Sequence, residues 1–273
     1  MILSRLKKIV KRHPFLYLTR FRLLSKNASF NEVNNQCYNK INLKKEVPAY
    51  FHEINSLIFS ETSNYTDLEK IKKLALWLQK NVKGGRGLSL SSEKALKVML
   101  NGGGGVCSDL VQIINNFCVI NDIRVREWGT TRIPFDKNYG GHSFNEIFIG
   151  EKNKWVLIDV YYGVFFTTQN GKPLSVIEFF RAKETGENIL IEYLSENFES
   201  DVKAIKKIYF HEDASPFLIC NYSNKLYDKY LKLLSGKFPI FLIHFLIYVQ
   251  GRSYFYIFPL NNYKAMFRRV VFG

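Results

Sequence analysis

Three separated stretches set a cysteine, a histidine and an aspartate in order along the chain. They are Gly102-Gly103-Gly104-Gly105-Val106-Cys107-Ser108-Asp109, Gly141-His142-Ser143-Phe144-Asn145-Glu146 and Trp155-Val156-Leu157-Ile158-Asp159-Val160. These residue types suit thiol chemistry. The thiolate, not the thiol, attacks carbonyl carbon, so a nucleophilic cysteine needs surroundings that lower its pKa. Cys107 stands where a glycine run gives way to apolar positions at helical spacing (Leu110, Val111, Ile114, Phe117, Cys118), which places it at a helix entry. There its sulfur lies near unpaired N–H groups and the positive end of the helix dipole, and the same N–H groups can hold an oxyanion. His142 can act as base or imidazolium partner of the thiol. Asp159, in an otherwise apolar strand, must be paired if buried, and the second imidazole nitrogen is the partner within reach.

The elements that must position these groups are legible from periodicity. Thr66-Asp67-Leu68-Glu69 reads as a capping box opening a helix over residues 66–83, and Ser91–Leu100 reads as a shorter helix that the glycine run stops. Residues 124–128, 142–149 and 155–160 are short and rich in β-branched and aromatic residues, as strands are, and 150–154 between the last two forms a hairpin loop. Alternation puts Phe144 and Phe148 on the face of His142, with Ser143 and Asn145 on the other. The expected fold class is α+β, with the cysteine helix packed on an antiparallel sheet and helical segments added at both ends.

Charge divides the chain in three. Residues 1–50 carry 11 Lys/Arg against 2 Asp/Glu, residues 51–201 carry 17 against 19, and residues 202–273 carry 11 against 3, for a net charge of +15. The division suggests a basic amphipathic N-terminal segment (1–50), a near-neutral catalytic core (51–201) and a basic, aromatic C-terminal extension packed on the core (202–273). Basic ends favour anionic partners, an anionic glycan or a membrane surface, although a solvated basic surface explains them too. No zinc-finger spacing, RNP-like motif or base-reading basic helix is present, so nucleic acid is not an expected partner. Within residues 1–26, Leu6, Ile9, Val10, Phe15, Leu16 and Phe21 suit an amphipathic helix interrupted near Pro14. The apolar run Phe238–Val249 is short for a membrane span and reads as a buried or interfacial helix. Cys37, Cys107, Cys118 and Cys220 form no C-x-x-C pair, so neither a metal site nor a disulfide framework is expected, and no cofactor is implied. With no secretory pattern at Met1–Lys8, a cytoplasmic location is expected, with peripheral contact at the inner membrane surface.

The segment from Gly102 to Gly163 resembles the core of the transglutaminase-like cysteine enzyme superfamily. The resemblance rests on the Gly-Val-Cys-Ser-Asp helix entry, the Gly-His-Ser-Phe-Asn-Glu-Ile strand and the Lys-Trp-Val-Leu-Ile-Asp-Val strand. It implies a papain-like fold and thioester chemistry, with Cys107 as nucleophile, His142 as base and Asp159 as its orienter. The family's oxyanion side chain is not identifiable, Trp77 and Gln79 being the candidates, and the zinc cysteines of its peptide N-glycanase branch are absent. Arylamine N-acetyltransferases are similar in length, triad order and the Asp159–Gly163 segment, but lack a match at the residues preceding Cys107.

The expected activity is therefore acyl transfer through a cysteine thioester, from an acyl donor to an amine or water. Gly105, Gly141, Tyr161 and Tyr162 are the expected substrate contacts: the glycines for close backbone approach, the tyrosines as an aromatic wall. An amide joined to a sugar carboxyl, on an anionic or lipid-linked saccharide in bacterial surface-polysaccharide assembly, suits the basic flanks. A cysteine peptidase or amidase, an arylamine N-acetyltransferase-like enzyme and a noncatalytic glycan- or membrane-binding scaffold are the alternatives.

Overall fold

The computed structural model describes residues 14–60, 64–136, 138, 139, 141–196 and 201–267. Helix α1 (Pro14–Leu24) leads into β1 (Ser25–Asn27), and α2 (Ala49–Ile58), α3 (Asp67–Asn81) and α4 (Ser92–Leu100) precede α5 (Cys107–Ile120). Strands β2 (Val125–Arg132), β3 (His142–Ile149), β4 (Lys154–Asp159) and β5 (Val164–Thr168) follow, then α6 (Val176–Glu184), β6 (Ile189–Tyr193) and β7 (Ala214–Cys220). The described chain closes with α7 (Asn224–Leu234), α8 (Ile240–Val249) and β8 (Phe255–Phe258). The strands make one eight-stranded sheet in the order β1-β8-β7-β2-β3-β4-β5-β6, antiparallel except for the β1–β8 pair. This is a mixed α/β, papain-like arrangement with the cysteine helix packed on the sheet.

Helix α5 is buried on every side from Asp109 to Ile120, more than its single apolar stripe suggests. The sheet covers one flank and α2–α4 the other, so its polar residues are buried as well and need partners. Gln112 Nε2 donates to Tyr222 Oη (3.0 Å) and Asn224 Oδ1 (2.7 Å), and Asn145 Nδ2 on β3 donates to Asn115 Oδ1 (2.8 Å). Among the described residues the Asn116 side chain has no hydrogen-bond partner. The capping box at α3 forms as the sequence suggests, with Glu69 N donating to Thr66 Oγ1 and Thr66 N to Glu69 Oε2. A long-range cap reinforces it: the Glu151 carboxylate in the β3–β4 turn accepts from Asp67 N and Leu68 N, while Gly150 N donates to Asp67 Oδ2.

The C-terminal region contributes strands as well as helices. Strands β7 and β8 are woven into the sheet, with β7 pairing along β2 from Glu127–Ile219 to Arg132–Ala214. β2 would otherwise expose a long unpaired edge, which β7 satisfies. Helix α7 also caps α4, because Asp228 accepts from Ser92 N (2.7 Å) and Ser92 Oγ (2.5 Å). At the other end, β1 adds to β8, and Phe21 and Leu24 of α1 pack against Phe217 and Tyr256. The expected apolar positions Leu6, Ile9 and Val10 lie outside the described residues. Helix α8 buries Ile243 and Ile247 and exposes Phe241, Leu242, Phe245, Leu246 and Val249, and among the described residues no helix is long and apolar enough to cross a membrane.

Candidate active site

Two glycine segments set the entry of α5. Gly85 N donates to Gly105 O at 2.8 Å, and a Cβ on Gly104, whose φ is +84°, would meet Gly85 Cα at 2.9 Å. Only glycine permits both that backbone conformation and that approach. Asp109 ties the first turn back to these loops, its Oδ2 accepting from Val106 N (3.0 Å) and Leu88 N (3.1 Å). A carboxylate in the first turn also suits the positive helix end.

At that entry the half-buried Cys107 sulfur lies beside the His142 imidazole and the Ser143 backbone N–H, all three residues lining one cavity. His142 Nε2 lies 2.7 Å from Asp159 Oδ2, which leaves Nδ1 for the sulfur. Asp159, fully buried, accepts at Oδ2 from Tyr209 Oη (2.8 Å) and at Oδ1 from the N–H groups of Tyr161 (3.0 Å) and Tyr162 (3.3 Å). Phe144, Tyr161, Tyr162 and Tyr209 surround the imidazole with ring centroids 5.4–6.3 Å away.

The electrostatics favour a thiolate–imidazolium pair. Burial pushes the Cys107 thiol up, but its hydrogen bond to His142, the imidazolium charge and the Ser143 N–H outweigh this and hold it below its ordinary value. Burial alone would lower His142; the Asp159 charge and hydrogen bond, with the Cys107 sulfur, raise it to about 10. The ion pair spans the interval between the two. Activity that needs the imidazolium to protonate a leaving group therefore rises through the lowered thiol pKa and falls as pH passes about 10. The other buried cysteines lack such a partner, and burial raises Cys118 far above the thiol range and Cys220 to about 12.

Two cavities share Val106, and one of them also takes in Cys107. One, about 600 Å³, is lined by Cys107, His142, Gly141, Glu127 and the tyrosines 222, 227, 254 and 256, among others. The other, about 360 Å³, is lined by Gly105, Val106, Gln79, Tyr161 and Tyr162. The structure thus brings together Cys107, His142 and Asp159, sets Gly141 in the cavity of the thiol and sets Gly105, Tyr161 and Tyr162 in the smaller one. Trp77 packs against the apolar core, whereas Gln79 faces the smaller cavity.

Two groups at the site carry no sequence signal. Tyr209 sits in a π-helical turn, Lys206–Phe210, some 50 residues beyond Asp159, and only the folded chain shows it bonded there. Glu127 on β2 faces the larger cavity with Asn115 Nδ2 at 3.0 Å from its Oε2, and burial raises its pKa from 4.5 to about 7. As pH rises from 4.5 toward 7 the unfolded chain ionises this group while the folded chain holds its proton, so stability is lost across that window. Glu127→Gln, neutral and still able to accept from Asn115, is expected to raise stability by roughly 3 kcal/mol at pH 8 and to leave it unchanged at pH 4. Urea unfolding at the two pH values measures this; equal effects at both would refute it.

The helix-entry cysteine beside a histidine bonded to a buried aspartate, packed on an antiparallel sheet, is the arrangement of a papain-like thiol site. Residues 57–160 match the family model of the transglutaminase-like superfamily. The chain is also similar to the crystal structure of a candidate cysteine protease from Cytophaga hutchinsonii, at 18% identity and a TM-score of 0.33. That match covers 56% of this chain and 53% of the other, about half of each. No curated protein matches the chain.

Proposed function

We propose that the protein is a thiol-dependent acyltransferase that exchanges or forms an amide bond through a Cys107 thioester. The observation that carries this reading is Cys107 beside His142, whose Nε2 lies 2.7 Å from Asp159 Oδ2, with the thiol and imidazole both lining a cavity of about 600 Å³ that has room for a donor and an acceptor. The Cys107 thiolate attacks the carbonyl carbon of an amide or ester, and the first N–H groups of α5 receive the oxyanion. Collapse breaks the bond to the leaving amine or alcohol, which takes the proton from His142. An incoming amine then attacks the thioester, His142 accepts its proton, and the thiolate departs. Asp159 holds the imidazole in the tautomer that both proton transfers require.

The acyl group we favour is a sugar carboxyl, presented as an ester or amide, because the chain's basic ends suit an anionic saccharide. Incubation with a uronyl ester oligosaccharide and an amino acid should yield the amidated saccharide by mass spectrometry, and none with Cys107→Ala. Release of only the free uronic acid, or cleavage of peptides instead, would make the protein a hydrolase.

A further inference from the structure

A third cavity, about 350 Å³, lies between α1 and α8 and is lined by Leu23, Leu24, Phe241, Leu242, Phe245 and Tyr248. It shares Arg20, His244 and Tyr254 with the larger cavity at Cys107, so the two meet at those side chains. Arg20 at this junction has an Nε that is buried with no hydrogen-bond partner, and among the described residues no carboxylate lies within 4 Å of its guanidinium. Its guanidinium stacks 5.1 Å from the Tyr254 ring centroid. The two carboxylates that line the cleft are engaged elsewhere, Asp109 by the Leu88 and Val106 N–H groups and Glu127 by Asn115. A partly buried guanidinium with an unpartnered, buried Nε is a position where an anion would be held.

We propose that this site binds the alkyl phosphate portion of a lipid-linked substrate, with the hydrocarbon tail between α1 and α8, the phosphate on Arg20 and the saccharide reaching toward Cys107. The proposal rests on the reading of the Cys107 cleft as the place of acyl transfer. The surroundings suit a substrate drawn from an anionic bilayer. Phe245, Leu246 and Val249 of α8 are 55%, 42% and 65% exposed, an apolar strip that would lie in the headgroup boundary. From residue 229 onward the sequence holds no Asp or Glu, while Lys229, Lys232, Lys237 and Arg252 flank the strip. That sign of charge draws the face toward anionic headgroups. Because Arg20, His244 and Tyr254 border both cavities, a ligand anchored in the tail cavity lies next to the cleft of the thiol.

Titration calorimetry with decyl phosphate, decanol and inorganic phosphate, each below any micellar concentration, tests the site on the Cys107→Ala protein. Because that protein cannot form a thioester, the result is independent of whether the acyl-transfer reading holds. Decyl phosphate should bind one to one and at least about tenfold tighter than decanol, with inorganic phosphate weaker than both. Arg20→Gln should abolish the preference for decyl phosphate over decanol. Phe245→Glu, on an exposed position that the fold tolerates, should weaken both decyl ligands about tenfold, the thermal unfolding midpoint being unchanged. Equal binding of decyl phosphate and decanol by the parent protein, non-stoichiometric adsorption, or a phosphate preference that survives Arg20→Gln would overturn the proposal. The first two outcomes need no variant to fold.

Discussion

Asp159→Asn lowers the rate of thioester formation by about 10³–10⁴-fold while the chain stays folded. The carboxylate accepts four hydrogen bonds, from His142 Nε2, Tyr209 Oη and the N–H groups of Tyr161 and Tyr162. An amide has one acceptor atom where the carboxylate has two. If its oxygen serves the two backbone N–H groups, its NH₂ faces the imidazole and the tyrosine hydroxyl. His142 then keeps its proton on Nδ1 and offers the sulfur a donor with no stabilised positive charge behind it. The thiol loses the imidazolium that holds its pKa down, against a burial that pushes it up. Burst release from an activated ester measures the step directly. A loss under tenfold with an unchanged unfolding midpoint would mean that Asp159 does not orient the base.

The second large effect is on stability. Glu146→Ala should lower the free energy of unfolding by about 3–5 kcal/mol, the usual consequence of breaking a buried ion pair from one side. Glu146 Oε2 receives Arg126 Nη1 (2.9 Å) and Trp128 Nε1 (3.0 Å), and its Oε1 receives Val176 N (2.9 Å) at the start of α6. Arg126 is 3% exposed; its Nε and Nη2 reach the carbonyls of Gln36 and Asn34, and its guanidinium lies 3.8 Å from the Trp155 ring centroid. Removing the carboxylate strands a buried cation, an indole N–H and a helix-start N–H together. The same truncation at Glu93, whose partners Lys97 and Lys232 are exposed, should cost less than about 1 kcal/mol. Urea unfolding of the two variants separates the cases, and comparable losses would refute the assignment.

Local signals in the sequence account for much of the site. The glycine run before Cys107, the β-branched strand that begins at His142 and the apolar strand that ends at Asp159 are read from composition and period, and the observed elements agree within a residue or two. The capping box at Thr66 and Glu69 is likewise a local device with a local signature. What escaped notice depends on long sequence separation. β7 reads as an ordinary apolar run until β2 is seen to lie beside it, and its interruption by Pro216 weakens even that signal. Tyr209 has no motif, because its role is defined only by the carboxylate it meets across the fold. Glu127 looks like a surface charge next to Arg126 in the sequence, yet the pleat turns the two to opposite faces. Arg126 meets Glu146 on one, and Glu127 faces the cleft on the other.

The pH dependence of Cys107 alkylation by iodoacetamide, followed by mass mapping in the parent protein and in His142→Ala, tests the central claim most directly. An imidazolium-held thiolate predicts a parent profile that inflects below the ordinary thiol range, with Cys107 modified well ahead of the half-buried Cys37, and an inflection in His142→Ala displaced upward to or above that range. The same profile in both proteins, with Cys107 no faster than Cys37, would contradict it.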